Sequence, residues 1–266
     1  MAKRTRLDAE LVRRGFARSR GHAAELIGAG HVHVVGLLAG KPATQVSADQ
    51  AIVVRAPSGE PSYVSRGAHK LIGALDAFGT DSKGRSCLDA GASTGGFTEV
   101  LLRRGAARVV AVDVGYGQLA WPLRNDDRVV VRERCNVREL TPEQVGEPRP
   151  DLVVADLSFI SLTLVLPALA GCAAPDAEFL LMVKPQFEVG RERVGAGGVV
   201  RGSEARADAV RAVAACALEL GLGAAGVAAS PLPGPAGNVE YFLLLRSGAA
   251  PLDEDRLGEA LAEGPQ

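Results

Sequence analysis

Cys87-Leu88-Asp89-Ala90-Gly91-Ala92-Ser93-Thr94-Gly95-Gly96-Phe97-Thr98 sets a short apolar run before an acid, then small residues and glycines, then a helical pattern (Phe97, Val100, Leu101, Leu102). That order reads as strand, tight turn, helix. Glycines in such a turn let the backbone bend sharply and let a ligand approach without Cβ atoms in the way. By itself the turn fits a dinucleotide site, a methyl-donor site or a plain βα connection.

Working outward, strand and helix patterns alternate from Ser86 on. The expected strands are Ser86–Asp89, Arg108–Val114, Val129–Arg132, Leu152–Ala155, Glu178–Lys184, Ala224–Ala228 and Glu240–Leu245. The expected helices are Gly96–Arg104, Gln118–Leu123, Leu162–Leu169 and Ser203–Leu220. Alternation of this kind implies an α/β domain, a mostly parallel sheet with helices on both faces. The last two strands have no long helix between them, which predicts a terminal antiparallel hairpin. A doubly wound sheet ending that way is the Rossmann-like class I methyltransferase variation. The polar tail from Gly248 is expected to add a short helix or to stay mobile.

The totals agree with a globular chain: 266 residues, 47% hydrophobic, 23% charged, only 4% aromatic. No apolar run reaches the roughly 18 residues of a spanning helix. The start has no apolar run behind its basic residues, so it is not a secretory signal, and no membrane partner is expected. Cys87, Cys135, Cys172 and Cys216 are far apart and form no Cys-x-x-Cys pair. They read as buried free thiols of a reducing, cytoplasmic protein. The four histidines are scattered, so no metal is implied.

The net charge of −1 hides an asymmetry. Residues 1–70 hold 11 Lys+Arg and 5 Asp+Glu, leaving 19 basic and 26 acidic residues for the rest. A basic module on an acidic body points to a polyanionic partner. Residues 6–29 carry two helical patterns: Leu7, Leu11 and Val12 with Gly15 as the stop, then Ser19 as N-cap before Ala23, Ala24, Leu26 and Ile27, with Gly28 and Gly30 as the stop. Short β-like runs follow at Val32–Val35 and Ile52–Val54. Arg13, Arg14, Arg18 and Arg20 cluster around the helix–turn–helix, within reach of phosphates. The segment resembles the S-four RNA-binding domain in Arg6-Leu7-Asp8, Leu11, Gly15, Ser19-Arg20, Leu26-Ile27, Gly30, Val32, Val34, Gly36, Lys41-Pro42, Val46 and Asp49. Val35 departs from it, standing where that family commonly places asparagine before the turn glycine. Ala56-Pro57-Ser58-Gly59-Glu60-Pro61-Ser62 reads as a linker, set at about 56–64. The expected domains are therefore 1–59 and 60–266.

In a doubly wound sheet the ligand lies at the carboxyl ends of the strands. Asp89, the turn Gly91–Gly96, Asp113 and Asp156 all fall there. Asp113, about twenty residues past the glycines, can bind both hydroxyls of a ribose. This fits NAD as well as S-adenosylmethionine. Two features favour the methyl donor. Gly-Ala-Ser-Thr-Gly-Gly is not Gly-x-Gly-x-x-Gly, so the close pyrophosphate approach is missing. Asp89 at the strand end opposes a pyrophosphate but suits a ligand carrying an ammonium and a sulfonium.

Lys184 ends the apolar run Phe179–Val183, Glu240 opens the last strand, and Lys70 precedes an amphipathic helix (Leu71, Ile72, Leu75, Phe78). Lys70, Asp156, Lys184 and Glu240 resemble the Lys-Asp-Lys-Glu tetrad of RrmJ/FtsJ-type ribose 2′-O-methyltransferases. Longer strings extend the likeness: Ser65–Leu71, Leu88–Thr98, Asp113–Leu119, Asp156–Leu162, Val183–Glu188 and Gly234–Tyr241 resemble the TlyA, or hemolysin A-like, family. Ala236 stands where a serine is common in that family.

The resemblance implies S-adenosylmethionine as cofactor and ribosomal RNA within ribosomal subunits as partner, with transfer to a cytidine 2′-hydroxyl. It implies Lys184 as the base, Asp156 orienting it, Lys70 contributing positive charge and Glu240 fixing Lys70 or the ribose. A ribose hydroxyl is a poor nucleophile and needs a base. Desolvation and a nearby cation make a lysine into one. Implied cofactor contacts are Asp89, Gly91, Ser93, Thr94, Gly95, Gly96, Phe97, Asp113, Asn136, Asp156, Ser158 and Phe159. Implied RNA contacts are Arg4, Arg6, Arg13, Arg14, Arg18, Arg20, Lys41 and Arg66. Competing readings are a membrane-active hemolysin, for which no spanning segment exists, an RNA-binding module with a dead enzyme domain, and an NAD-dependent enzyme.

Overall fold

In a computed structural model the chain divides into two compact units, Met1–Ser62 and Tyr63–Gln266. The residues described are 4–264, apart from 15, 18, 48–49 and 55–62. The expectations for Lys3, Gly15, Arg18, Asp49 and most of the linker lie outside them.

In the N-terminal unit, β1 (Arg4–Arg6) pairs antiparallel with β4 (Gln45–Ser47). Helices α1 (Leu7–Arg13) and α2 (Arg20–Gly28) follow the two helical patterns. The Ser19 side chain caps α2 by accepting from the His22 amide at 3.1 Å. A second small sheet runs β3 (Leu37–Leu38), β2 (Val32–Val34), β5 (Ile52–Val54). Leu7, Leu11, Ala23, Ile27, Val32 and Val46 close the core. The β2–β3 turn takes φ +50 at Val35 and φ +80 at Gly36. Two successive positive φ values give the primed turn that matches strand twist. Asparagine tolerates that conformation and a β-branched valine does not, so the departure at Val35 costs conformational energy.

In the larger unit, a seven-stranded sheet has the order β11-β12-β10-β9-β6-β7-β8. The strands are β6 (Ser86–Ala90), β7 (Arg108–Val112), β8 (Val129–Arg132), β9 (Leu152–Ala155), β10 (Glu178–Val183), β11 (Leu222–Ala229) and β12 (Tyr241–Ser247). β12 lies between β10 and β11 and is antiparallel to both. The pairs β6–β7, β6–β9, β7–β8 and β9–β10 are parallel. Alternate residues of the central strands feed two cores. Leu88, Val110, Val153, Leu181 and Leu243 pack with α7 (Leu162–Cys172) and α9 (Ser203–Glu219). Cys87, Val109, Val154, Leu180 and Phe242 pack with α3 (Gly67–Phe78) and α4 (Gly96–Arg103). Period-two alternation on a sheet covered on both faces explains why these strands read as continuous apolar runs.

Chain order reverses between β6 and β9, which opens a crevice at their carboxyl ends. The strand expected to run to Val114 stops at Val112, because Asp113 turns out of the sheet to bind loop amides. The helix expected at Gln118–Leu123 is the short α5 (Trp121–Arg124), since 113–118 is consumed by that loop. The sequence reading missed the helical turns α6 (Pro142–Val145) and α8 (Pro185–Glu188). The tail forms α10 (Glu254–Glu263), capped by the Asp253 side chain. No helix among the described residues is long and apolar enough to cross a membrane. All four cysteines are free; Cys87 and Cys172 are buried, whereas Cys135 and Cys216 are only partly so. No metal-holding cluster occurs among the described residues.

Candidate functional site

Asp89 sits on β6 and is fully buried. Its Oδ2 accepts the Thr98 hydroxyl at 2.6 Å, and Oδ1 has no partner. Burial pushes its carboxyl up to about 7; the Thr98 hydrogen bond opposes this, and the charge of Asp156 adds to it. The turn that follows is built for close approach. Gly91 takes φ +88, and a Cβ there would lie 2.5 Å from the Asp156 carbonyl oxygen. Gly95 takes φ +99, and a Cβ would run into Leu123. A Cβ on Gly96 would meet Ser65 Oγ and come within 3.1 Å of the Ala68 amide nitrogen. These glycines therefore set backbone packing around the crevice.

A cavity of about 440 Å³ lies at the strand ends. Gly91, Ser93, Asp113, Gln118, Asn136 and the run Asp156–Ile160 line much of it. The Asp113 carboxylate is fixed by two backbone amides: Ser93 donates to Oδ2 at 2.8 Å and Gly115 to Oδ1 at 2.6 Å. Asn136 Oδ1 accepts the Arg138 amide at 3.1 Å. Thr94 lies outside the cavity wall and holds the turn through its carbonyl, which accepts the Ala120 amide at 3.1 Å. Phe97, implied as a cofactor contact, has its side chain elsewhere. It is buried in the core, its ring 6.3 Å from that of Phe242, and it does not line the cavity. An aromatic one residue into the helix projects back onto the sheet instead.

Beside the cavity lie two lysine–carboxylate pairs. Lys184 follows β10, and its Nζ stands 2.6 Å from Asp156 Oδ1, an ion pair by distance that is poorly aligned as a hydrogen bond. The same ammonium donates to Ser158 Oγ at 3.0 Å. Ser158, expected as a cofactor contact, is thereby engaged with the lysine. Lys70 on α3 donates to Glu240 Oε2 at 2.6 Å, with both side chains buried. Gly67, one turn earlier on α3, brings the two pairs together: a Cβ on it would be 3.8 Å from Asp156 Oδ2. Phe159, at φ +65 and 90% exposed, projects from the cavity rim with its ring 5.2 Å from Phe187.

The arginines expected to meet RNA fall into different groups. Arg6 and Arg20 both pair with the buried Asp8, at 2.9 and 3.0 Å, and stay largely exposed. Those arginines, Arg6 first, hold the Asp8 carboxyl well below the usual range. Arg13 and Arg14 pair with the buried Glu10 and bring its carboxyl down to about 2. Arg14 also donates to the Gln50 and Ser47 carbonyls and is mostly covered, so its fork ties the unit together. Arg4, Lys41 and Arg66 are exposed. Val114, Cys135, Val137, Leu157 and Ile160 line the cavity without having been predicted. Apolar lining residues carry no chemical signature to find them by.

A Rossmann-like sheet with a glycine-built crevice in one unit and a small unit rich in paired arginines define the class: an FtsJ-like methyltransferase joined to an S4 domain. The family pattern for FtsJ-like methyltransferase matches residues 63–247, and that for the S4 domain matches residues 5–52. The "16S/23S rRNA (cytidine-2′-O)-methyltransferase TlyA" of Mycobacterium tuberculosis is 64% identical over 270 residues, covering 100% of both chains. "Hemolysin A" of Brachyspira hyodysenteriae is 36% identical, covering 89% of this chain and 98% of its own. A solved structure of a hemolysin-type protein from Streptococcus thermophilus matches with a TM-score of 0.78 at 36% identity, over 99% of this chain and 96% of that one. The chain belongs to the TlyA family.

Proposed function

We propose that this protein is an S-adenosylmethionine-dependent rRNA (cytidine-2′-O)-methyltransferase acting on ribosomal subunits in the cytoplasm. The observation that carries the reading is the juxtaposition of Lys184–Asp156 and Lys70–Glu240 beside the strand-end cavity. The substrate comes from the M. tuberculosis relative, whose name gives cytidine in 16S and 23S rRNA.

The cavity fits the donor in size and chemistry. Its volume suits a drug-sized ligand. Asp113, held by two amides, keeps lone pairs free for ribose hydroxyls. The unpartnered Oδ1 of Asp89 suits a cationic amino-acid end. When bound, S-adenosylmethionine supplies an electrophilic methyl on a sulfonium.

The residues then divide the work. Asp156 and Ser158 take two of the three directions available to Lys184 Nζ, leaving the third for the target 2′-hydroxyl. Before transfer the Lys184 ammonium gives one proton to water; the neutral amine then accepts the hydroxyl proton at Nζ as the oxygen attacks the methyl, and Asp156 holds the ammonium so restored. Glu240 fixes Lys70, whose charge stabilises the alkoxide as it develops. Most of the acceleration then comes from alignment of hydroxyl and methyl. In the N-terminal unit Arg4, Arg6, Arg13, Arg20 and Lys41 are the phosphate contacts, with Arg66 in the larger unit. Their target is a folded RNA read by shape and backbone.

The test is incubation with small or large ribosomal subunits and radiolabelled methyl donor, followed by nucleoside analysis. The expected product is 2′-O-methylcytidine, absent with Lys184→Ala. Label on a base, or a Lys184→Ala rate equal to wild type, overturns the reading.

A further inference from the structure

Between Asp156 and α7 the chain has no regular structure, yet it carries Ser158 and the positive-φ Phe159. A bulky residue in that conformation is strained and persists only where its surroundings hold it. Strand pairing fixes the ends of β9 and β10, with Ala155 opposite Leu181, but not the loop beyond. The holding group is on the other segment. Glu188, four residues after Lys184, accepts the Ser161 hydroxyl at 2.5 Å and the Leu162 amide at 2.9 Å. Ser161 in turn caps α7 by accepting the Thr163 amide at 3.1 Å. Phe187 supports Phe159 from the same short helix, α8. The loop after the acid is thus gripped at two points by the turn after the lysine.

We infer that Glu188 is a positioning residue for methyl transfer: its carboxylate clamps the 156–162 loop to the 184–188 turn and so sets the spacing of Asp156 and Ser158 to Lys184 Nζ. The inference rests on the reading of Lys184 as the base. The hydrogen bonds of the Glu188 carboxylate go to Ser161 and Leu162, so it acts through the loop. Burial raises its carboxyl above the ordinary value, as expected for a carboxylate withdrawn from water to serve a local structure.

The test is a single-turnover rate at saturating donor and ribosomal subunits, with donor affinity by calorimetry and thermal unfolding alongside. Glu188→Ala is expected to slow transfer by about 30- to 100-fold, as misplacement by about an ångström does, while donor affinity falls far less. Glu188→Gln retains an acceptor for the Leu162 amide and is expected to recover the rate to within about threefold of wild type. A merely structural role would lower the melting temperature and the active fraction without this split or this rescue. Should Glu188→Ala fail to fold, Ser161→Ala removes one of the two bonds and is expected to slow transfer by about tenfold. A wild-type rate in Glu188→Ala or in Ser161→Ala, or a Gln variant as slow as the Ala variant, overturns the inference. Lys184→Ala separates the two layers. If it transfers at the wild-type rate, the base reading fails; if it is dead while Glu188→Ala is fully active, only the clamp fails.

Discussion

Asp89→Asn separates two effects that pull in opposite directions. The Asp89 carboxyl is fully buried, with one oxygen on Thr98 and the other unpartnered, and burial pushes it up to about 7. In the unfolded chain the same group titrates near 3.9. The folded protein therefore binds more protons than the unfolded chain between these values. The slope of stability with pH is negative there: the contribution is fully present below about pH 4 and is lost as pH rises through about 7. About three pH units at 1.36 kcal/mol each make the term on the order of 4 kcal/mol, of which roughly 3 falls between pH 5 and 8. Asparagine has no such term. Its amide oxygen still accepts the Thr98 hydroxyl, so the variant should gain on wild type steadily as pH rises.

Donor binding runs the other way. A cationic ligand end beside Asp89 favours the ionised carboxylate, so wild-type affinity should rise with pH through about 7 and binding should release a proton. In Asp89→Asn that affinity should be lower and nearly independent of pH. Urea denaturation followed by circular dichroism from pH 5 to 8 measures the first effect. Calorimetry with S-adenosylmethionine in buffers of different ionisation enthalpy measures the second. Parallel stability curves for the two proteins, or equal donor affinities at pH 8, would refute the reasoning.

Lys70→Met leaves Glu240 buried without its counter-ion and is expected to cost about 3–5 kcal/mol in urea denaturation. Lys70→Met with Glu240→Leu should regain nearly all of that stability and none of the methyl transfer. Gly91→Ala combines an unfavourable φ of +88 with a Cβ 2.5 Å from the Asp156 carbonyl. It is expected to destabilise by roughly 2–4 kcal/mol and to abolish donor binding in calorimetry. Val35→Asn relieves the positive-φ turn and should stabilise the N-terminal unit by about 1 kcal/mol, read as slower hydrogen exchange in the β2–β3 hairpin. Asp8→Ala removes a negative charge from the unit proposed to meet RNA, so charge alone predicts tighter subunit binding. Loss of the carboxylate that orders Arg6 and Arg20 predicts binding weaker by about tenfold, measured by filter binding.

Strand ends and glycines made the strand-end crevice legible in the sequence. Asp89, Asp113 and Asp156 each follow an apolar run, and a parallel sheet sends every such end to one side. Lys184 could be placed for the same reason, since it follows the buried apolar run Phe179–Val183, and Glu240 because β12 runs antiparallel, which brings its start to the same side. The sequence left open whether Glu240 served Lys70 or the ribose, because Lys70 lies on a helix and its reach depends on how α3 packs. The Ser158–Lys184 and Glu188–Ser161 contacts were hidden for a related reason. Both act across a gap of 26 or 27 residues, between a loop and a turn with no periodicity of their own. In the N-terminal unit the Glu10–Arg13 and Glu10–Arg14 spacings of three and four residues were readable as helical pairs. The Asp8–Arg20 pair was not, because it joins two helices.

The arrangement of charge explains why an acid-rich crevice works with two lysines. Asp113 and Asp156 line the cavity, Asp89 is fully buried within reach of their charges, and both charges add to the burial that raises its carboxyl. On the proposed function a cationic donor relieves that repulsion, and the same acids select its charge. Each lysine is matched to one carboxylate, Lys184 to Asp156 and Lys70 to Glu240. In the proposed reaction the proton taken from a 2′-hydroxyl returns Lys184, first freed of one proton to water, to the ammonium that Asp156 holds, and Lys70 is assigned to the developing oxyanion. The charges created by the reaction are thus met by groups already fixed in place, which is the condition for electrostatic stabilisation without reorganisation. Exchanging the partners, with Asp156→Asn or Glu240→Gln, breaks the match in a different place each time. The first should impair proton removal and the second the stabilisation of the oxyanion, so their pH–rate profiles should differ even where their overall rates do not.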